Sequence, residues 1–363
     1  MKMAFRYFGK GHDPISLRDI RQIPGMTGIV TSLLDIPAGD AWPKDRINAM
    51  KKEITEAGFE LEVIESVNIH ESIKLGTKER DEKIENYRLT IKRLASIGIK
   101  CICYNFMPVL DWARCHLYYP LPDGSNTMMY EAKYLENITL EELAEKYAKE
   151  TAPYEMPGWE PERLKTARQT LEMYDGMSES DFYNNMKYFL NAVIPYAQDF
   201  DIKMAIHPDD PPWPIFGLPK LIISHENIRK YLDLYPSIYN GLTLCTGSLG
   251  ARKGADIPRM IRDFGLEKKI HFAHIRNLKF INDTDFYESA HLSSMGSLDM
   301  VAIMKAFYDI KYKGWIRPDH GRMIWDETSK KGRPGYGLYD RALGAVYLQG
   351  IWEILEKGVR VYV

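Results

Sequence analysis

Four residues of metal-ligand type stand at the ends of four successive apolar runs in the second half of the chain. His207 follows Ala205-Ile206 and precedes Pro208-Asp209-Asp210, and Cys245 follows Leu244. His274 follows Phe272-Ala273, and Asp319 follows Arg317-Pro318 and precedes His320. Singly, each has an ordinary explanation. A strand-end histidine is more often a hydrogen-bonded core residue than a ligand, and a buried cysteine usually serves as a small apolar side chain. His12, His116, His225, His271 and His291 are read in that ordinary way. One thiolate, two imidazoles and one carboxylate at successive strand ends make a different case. They form a mixed soft and hard set with open positions for water or substrate, which is the pattern of a catalytic divalent-metal site. A structural metal would more often use several cysteines at close spacing, such as C-x2-C, and no such pair occurs. Mn2+ and Fe2+ tolerate this set and leave room for a hydroxy acid; Zn2+ is also competent, and the thiolate tilts the choice slightly toward Fe2+ or Zn2+ over Mg2+.

Such residues need a scaffold that brings strand ends together. Eight runs have strand length and strand composition: Met3–Phe8, Gly28–Leu33, Leu61–Glu65, Ile99–Phe106, Lys203–His207, Leu242–Cys245, His271–Arg276 and Trp315–Asp319. Between them lie amphipathic helical patterns. Pro43–Ala57 opens on a proline and stops at Gly58, and Lys78–Ile97 stops at Gly98. Ser180–Phe200, His225–Leu234, Ile257–Phe264, Leu298–Ile310 and Leu338–Glu356 are further helices. Strand alternating with helix eight times predicts an α/β fold, a (β/α)8 TIM barrel, as a single domain over residues 1–363. Consecutive strand ends of a barrel ring one mouth, so the four ligand-type residues converge there. Strand count does not prove closure, and a doubly wound open sheet is the alternative. Its phosphate turn would be Phe8-Gly9-Lys10-Gly11-His12-Asp13, which lacks the third glycine of a dinucleotide fingerprint.

One stretch breaks the rhythm. Residues 107–178 follow the fourth strand and far exceed a βα loop of about two to six residues. They are rich in Tyr, Trp, Pro and Glu and hold a helical pattern at Leu140–Lys149. An insertion there sits over the active-site face, as a lid or as an oligomer contact.

Composition bounds the class of function. Of 363 residues, 45% are apolar and 27% charged, as in a globular protein with a sizeable core. A formal net charge of −2 lacks the basic footprint of a nucleic-acid binder. No apolar run reaches the roughly 18 residues of a membrane span, and the first residues lack a secretory signal. Few cysteines (Cys101, Cys103, Cys115 and Cys245) fit a reducing, cytoplasmic setting.

The longer motifs around these residues carry a resemblance. They include Met3-Ala4-Phe5-Arg6-Tyr7-Phe8-Gly9, Gly28-Ile29-Val30-Thr31-Ser32-Leu33 and Cys103-Tyr104-Asn105-Phe106-Met107-Pro108-Val109-Leu110-Asp111-Trp112. Ile206-His207-Pro208-Asp209-Asp210-Pro211-Pro212, Cys245-Thr246-Gly247-Ser248 and His274-Ile275-Arg276-Asn277 follow. Arg317-Pro318-Asp319-His320-Gly321-Arg322 and Arg333-Pro334-Gly335-Tyr336-Gly337-Leu338-Tyr339-Asp340-Arg341 close the set. In these motifs, almost from end to end, the chain resembles the mannonate dehydratases of the UxuA type, members of the xylose-isomerase-like barrels, with no departure at the ligand positions. The resemblance implies dehydration of D-mannonate to 2-dehydro-3-deoxy-D-gluconate in hexuronate (glucuronate) breakdown, with Mn2+ or Fe2+. It implies His207, Cys245, His274 and Asp319 as ligands and His320 with Tyr336 as the acid-base pair. The expected partner is a small sugar acid, without nucleic acid or membrane, and the expected assembly is a homo-oligomer, a dimer.

The chemistry asks for those parts. A metal on the acid's oxygens stabilises charge as the proton beside the carboxylate leaves, while a base reaches C2 and an acid protonates the departing C3 hydroxyl. His320, next to Asp319, can contact the substrate, its bland role being to orient Asp319. Tyr336 lies in a glycine-flanked loop, where a nearby cation would lower its pKa enough for a base; its bland role is loop packing. Which is acid and which is base stays open. Arg276 is placed to pair the substrate carboxylate. Asn105, Asn277, Asp209 and Glu65 are placed to bind hydroxyls, with loop fixing as the even alternative. Trp112, Tyr118 and Tyr119 either cover the sugar acid or pack the insertion.

Three other readings compete. A sugar isomerase or epimerase on the same barrel would commonly use carboxylates where this chain has Cys245. A nuclease of the abasic-site type calls for a basic surface. A non-catalytic binder of metal or sugar acid would leave His320 and Tyr336 idle.

Overall fold

The computed structural model describes residues 1–152, 159, 167–329 and 332–358. Parts of the expected insertion (153–158 and 160–166) and of the expected domain (330–331 and 359–363) lie outside them. All eight expected strands form: β1 Lys2–Arg6, β2 Gly28–Thr31, β3 Glu60–Glu65, β4 Cys101–Tyr104, β7 Lys203–Ile206, β8 Asn240–Cys245, β9 Ile270–Ile275 and β12 Trp315–Pro318. Each pairs in parallel with its neighbours, and the ring closes in the order β1-β12-β9-β8-β7-β4-β3-β2. The open sheet is thereby set aside. The helices between them lie within two residues or so of their sequence patterns. That at Glu179–Asp199 starts one residue earlier than expected, because Ser178 and Asp181 form a reciprocal capping box.

The strands place the site through their two-residue period. Ala4, Val63, Ala205, Phe272 and Trp315 fill the barrel interior. Two residues further along the same strands, on the same inward face, stand Arg6, Glu65, His207, His274 and Arg317. The barrel is therefore apolar below and ionic at its C-terminal mouth, the end where barrel enzymes carry their chemistry.

The sequence reading missed a second sheet. The expected insertion contributes β5 (His116–Pro120) and β6 (Asn126–Tyr130), which pair antiparallel. The chain after β9 adds β10 (Asn277–Phe280) and β11 (Phe286–Ser289), giving the order β10-β11-β6-β5. Both hairpins grow from C-terminal ends of barrel strands, so the small sheet stands beside the mouth. The expected helix in the insertion forms as Leu140–Thr151, opened by a Thr139–Glu142 capping box. Among the described residues no helix is long and apolar enough to cross a membrane.

Candidate metal and acid-base site

His207, Cys245 and His274 converge at the mouth, their donor atoms all within 4.8 Å of one another. His207 Nε2 and His274 Nδ1 face each other at 3.1 Å. The opposite ring nitrogens are tied down. His207 Nδ1 lies 2.7 Å from the Pro208 carbonyl, which only accepts. His274 Nε2 lies 3.1 Å from Glu65 Oε2, on a carboxyl held well below its usual range, where Arg317 and His274 outweigh the effect of burial. Both partners hold a proton on the outer nitrogen, so the inner nitrogen is the one left to give up its proton to a metal, as metal-bound histidines require.

Cys245 joins them from the end of β8. Its Sγ accepts from Ser248 Oγ at 3.1 Å and from the Ser248 amide at 3.4 Å. The following Thr246 hydroxyl bonds the Arg276 carbonyl and amide at 2.7 and 2.9 Å, which locks this turn to the end of β9. Gly247 has no side chain because the Arg276 side chain fills the place a Cβ would take. Burial opposes ionisation of the thiol, but Arg276 and the hydrogen bonds from His207 and His274 hold its pKa well below the ordinary value. Burial likewise opposes a charge on His207, yet Cys245, Asp319 and Glu65 raise its pKa to about 9. Two inward imidazole nitrogens, a thiolate and nearby carboxylates draw positive charge to one point, and that set fits a divalent cation.

Asp319 stands at the edge of this group, with Oδ2 3.6 Å from Cys245 Sγ and 3.9 Å from His274 Nδ1. Two arginines pin it: Arg317 at 2.7 Å from Oδ1 and Arg276 Nε at 3.0 Å from Oδ2. Next in sequence, His320 points its Nε2 at the Tyr336 hydroxyl, 3.0 Å away. Phe8 meets the Tyr336 ring edge-on at 5.0 Å. The expected lowering of the Tyr336 pKa is not found: burial and Asp319 push it up, and Arg317 and Arg6 do not compensate.

Asn105, Glu65 and Trp112 line the same cavity, with Arg6, Ser66 and Asp111. Three other expected substrate contacts are placed elsewhere. Arg276 is fully buried and already faces Asp210 at 2.6 Å, Asp319 and Glu288, so it is part of the wall behind the metal donors. Asn277 spends its amide on the Leu292 and Leu298 carbonyls. Asp209 accepts from the Leu221 and Ile222 amides at 2.9 and 2.7 Å and fixes the loop after β7. Trp112 also stacks on Tyr147, whereas the Tyr118 hydroxyl reaches the Gly332 carbonyl and Tyr119 packs on His116, away from the cavity.

Glu288 and Arg114 were missed. Arg114 pairs Asp210 at 2.8 Å and Glu288 at 2.7 Å, with all three side chains buried, and Glu288 also lies 3.4 Å from His320 Nδ1. Arginines hold Asp210 well below its usual range and Glu288 at about 2, against the opposing effect of burial. Both missed residues belong to the small sheet or the segment leading into it, which had no strand signal. Arg6 was visible as a charge ending an apolar strand but received no role.

A D-mannonate dehydratase (UxuA) family model matches residues 1–362. A mannonate dehydratase of Thermotoga neapolitana is 54% identical over 357 residues, covering 98% of each chain. The crystal structure of a mannonate dehydratase from Streptococcus suis serotype2 superposes with a TM-score of 0.88 at 41% identity, over 100% of this chain and 97% of that one. A xylose isomerase domain protein from Planctomyces limnophilus, 10% identical with a TM-score of 0.56 over 98% of each chain, shares the fold. Matches of that length and identity leave one assignment: the chain belongs to the D-mannonate dehydratase (UxuA) family.

Proposed function

We propose that this chain dehydrates D-mannonate to 2-dehydro-3-deoxy-D-gluconate and water, a step in hexuronate breakdown. The observation that carries the reading is the 3.0 Å contact of His320 with Tyr336 beside the convergent metal donors. His207, Cys245, His274 and Asp319 would hold the metal. A divalent ion there, Mn2+ or Fe2+ as the family resemblance implies, would polarise substrate oxygens beside the breaking C–H bond.

The protein's own groups handle the protons. His320 Nε2 takes the C2 proton, while its Nδ1 faces Glu288. Tyr336 keeps its proton, because burial pushes the phenol up, and gives it to the C3 hydroxyl as that C–O bond breaks. The electron pair of the C2–H bond becomes the C2=C3 double bond, water leaves, and the enol tautomerises to the 2-keto acid. Asn105 is placed to bind a substrate hydroxyl.

The test is turnover. Purified protein supplied with Mn2+ is expected to convert D-mannonate to a product giving the 2-keto-3-deoxy acid colour reaction. No product with Mn2+, Fe2+ or Co2+, or formation of a ketose instead, overturns the reading.

A further inference from the structure

Carboxylates match three of the buried arginines around the site. Arg114 pairs Asp210 and Glu288, Arg276 pairs Asp210, Glu288 and Asp319, and Arg317 pairs Glu65 and Asp319. Arg6 and Arg341 have no such match; Arg341 is tied to the Gly337 and Tyr336 carbonyls away from the cavity, whereas Arg6 faces it. Arg6 ends β1, is 4% exposed and lines the cavity together with Tyr336, His320 and His274. One of its N–H groups donates to the Glu65 backbone carbonyl, and its guanidinium lies over the Phe8 ring, 4.7 Å from the centroid. Among the described residues its guanidinium has no ion pair and no other hydrogen bond. Glu65 does not serve it, because both Glu65 oxygens bind Arg317 and one also binds His274. Burial accordingly lowers the Arg6 pKa, and Glu65 offsets this only in part.

A buried cation without a counter-ion is costly unless an anion arrives. Here the open side of the guanidinium is the cavity, so the anion comes from the ligand. A guanidinium fork matches a carboxylate better than it matches hydroxyls. We propose that Arg6 binds the carboxylate of the sugar-acid substrate, the part first given to Arg276, and thereby selects sugar acids over neutral polyols. The assignment rests on the dehydratase reading, which supplies the sugar acid.

The experiment compares wild type, Arg6→Met and Arg6→Lys as metal-loaded enzymes. It measures the KM for D-mannonate and inhibition by D-mannitol, the uncharged polyol of the same configuration. Arg6→Met is expected to raise KM on the order of 10- to 100-fold, the worth of a hydrogen bond to a charged group, with D-mannitol inhibition unchanged to about twofold. A KM within about twofold of wild type, or an equal weakening of acid and polyol, overturns the proposal. If Arg6→Met lacks the wild-type circular dichroism or metal content, Arg6→Lys replaces it. That variant keeps the charge without the fork, so a raised KM supports the assignment and an unchanged one overturns it. Wild type that leaves D-mannonate intact overturns the dehydratase reading instead. Arg6 is then judged by calorimetric binding of D-mannonate to wild type and Arg6→Met, where equal affinities overturn it.

Discussion

The lower and upper layers of the barrel interior lie on the same strands and the same inward faces, two residues apart. Ala4, Val63, Ala205, Phe272 and Trp315 below are held by close packing of apolar surface. Arg6, Glu65, His207, His274 and Arg317 above are held by ion pairs and hydrogen bonds among themselves, and Asp319 ties Arg317 to the wall of Arg114, Asp210, Arg276 and Glu288. The difference teaches where function is bought with stability at risk. Packing tolerates small changes at a cost proportional to lost contact. A buried charge network tolerates little, because removal of one member strands the others. Within the upper layer, the matched charges build the site, whereas the inward nitrogens of His207 and His274 and the unmatched charge of Arg6 point at what is to be bound.

The largest expected effects lie at the mouth and divide metal from proton transfer. Cys245→Ser is expected to lose the bound metal and with it turnover, by at least ~100-fold. His320→Asn is expected to keep the metal but lower kcat by about 10²- to 10⁴-fold, the usual worth of a general acid or base. Metal analysis and kcat on the same preparations separate the two, and an active His320→Asn enzyme removes the acid-base assignment.

The wall behind the mouth comes next. Glu288→Gln leaves two buried arginines short of a carboxylate, so a loss of about 3–5 kcal/mol is expected in denaturant unfolding. The same network sets an acid limit. The folded-state pKa of Glu288, at about 2, lies below its ordinary 4.5, so its stabilisation is full above pH 4.5 and drains away as pH falls toward 2. Asp210 adds to the loss in the same direction. Unfolding midpoints at stepwise lower pH should drop more steeply for wild type than for Glu288→Gln; parallel curves would remove Glu288 from the account.

The smallest effect belongs to the lower layer. Val63→Ala is expected to cost about 1–3 kcal/mol as a cavity, with kcat preserved. A fall in kcat comparable to that of His320→Asn would erase the distinction between the layers.

Much of this was legible in order along the chain, and the reason is local. Strand and helix periods are properties of short windows, so the eight barrel strands and the helices between them could be placed from pattern alone. Strand-end position then brought His207, Cys245 and His274 to one mouth, because barrel geometry turns order along the chain into neighbourhood. The small sheet escaped for the opposite reason. Its strands have four or five residues, and β6 meets β11 only across more than 150 residues of chain, as in Phe286 opposite Tyr130. No window of sequence contains that pairing.

The metal donors were determined by the sequence: residue type and strand-end position suffice to bring soft and hard ligands together. Partnership was decided only by the tertiary structure. Arg6 and Arg276 are both arginines at the ends of apolar strands, and nothing local tells them apart. Arg276 meets three carboxylates contributed by β11, β12 and the loop after β7, while Arg6 meets a backbone carbonyl, an aromatic ring and the open cavity. Charge compensation is a sum over neighbours in space, and those neighbours exist only once the chain has folded.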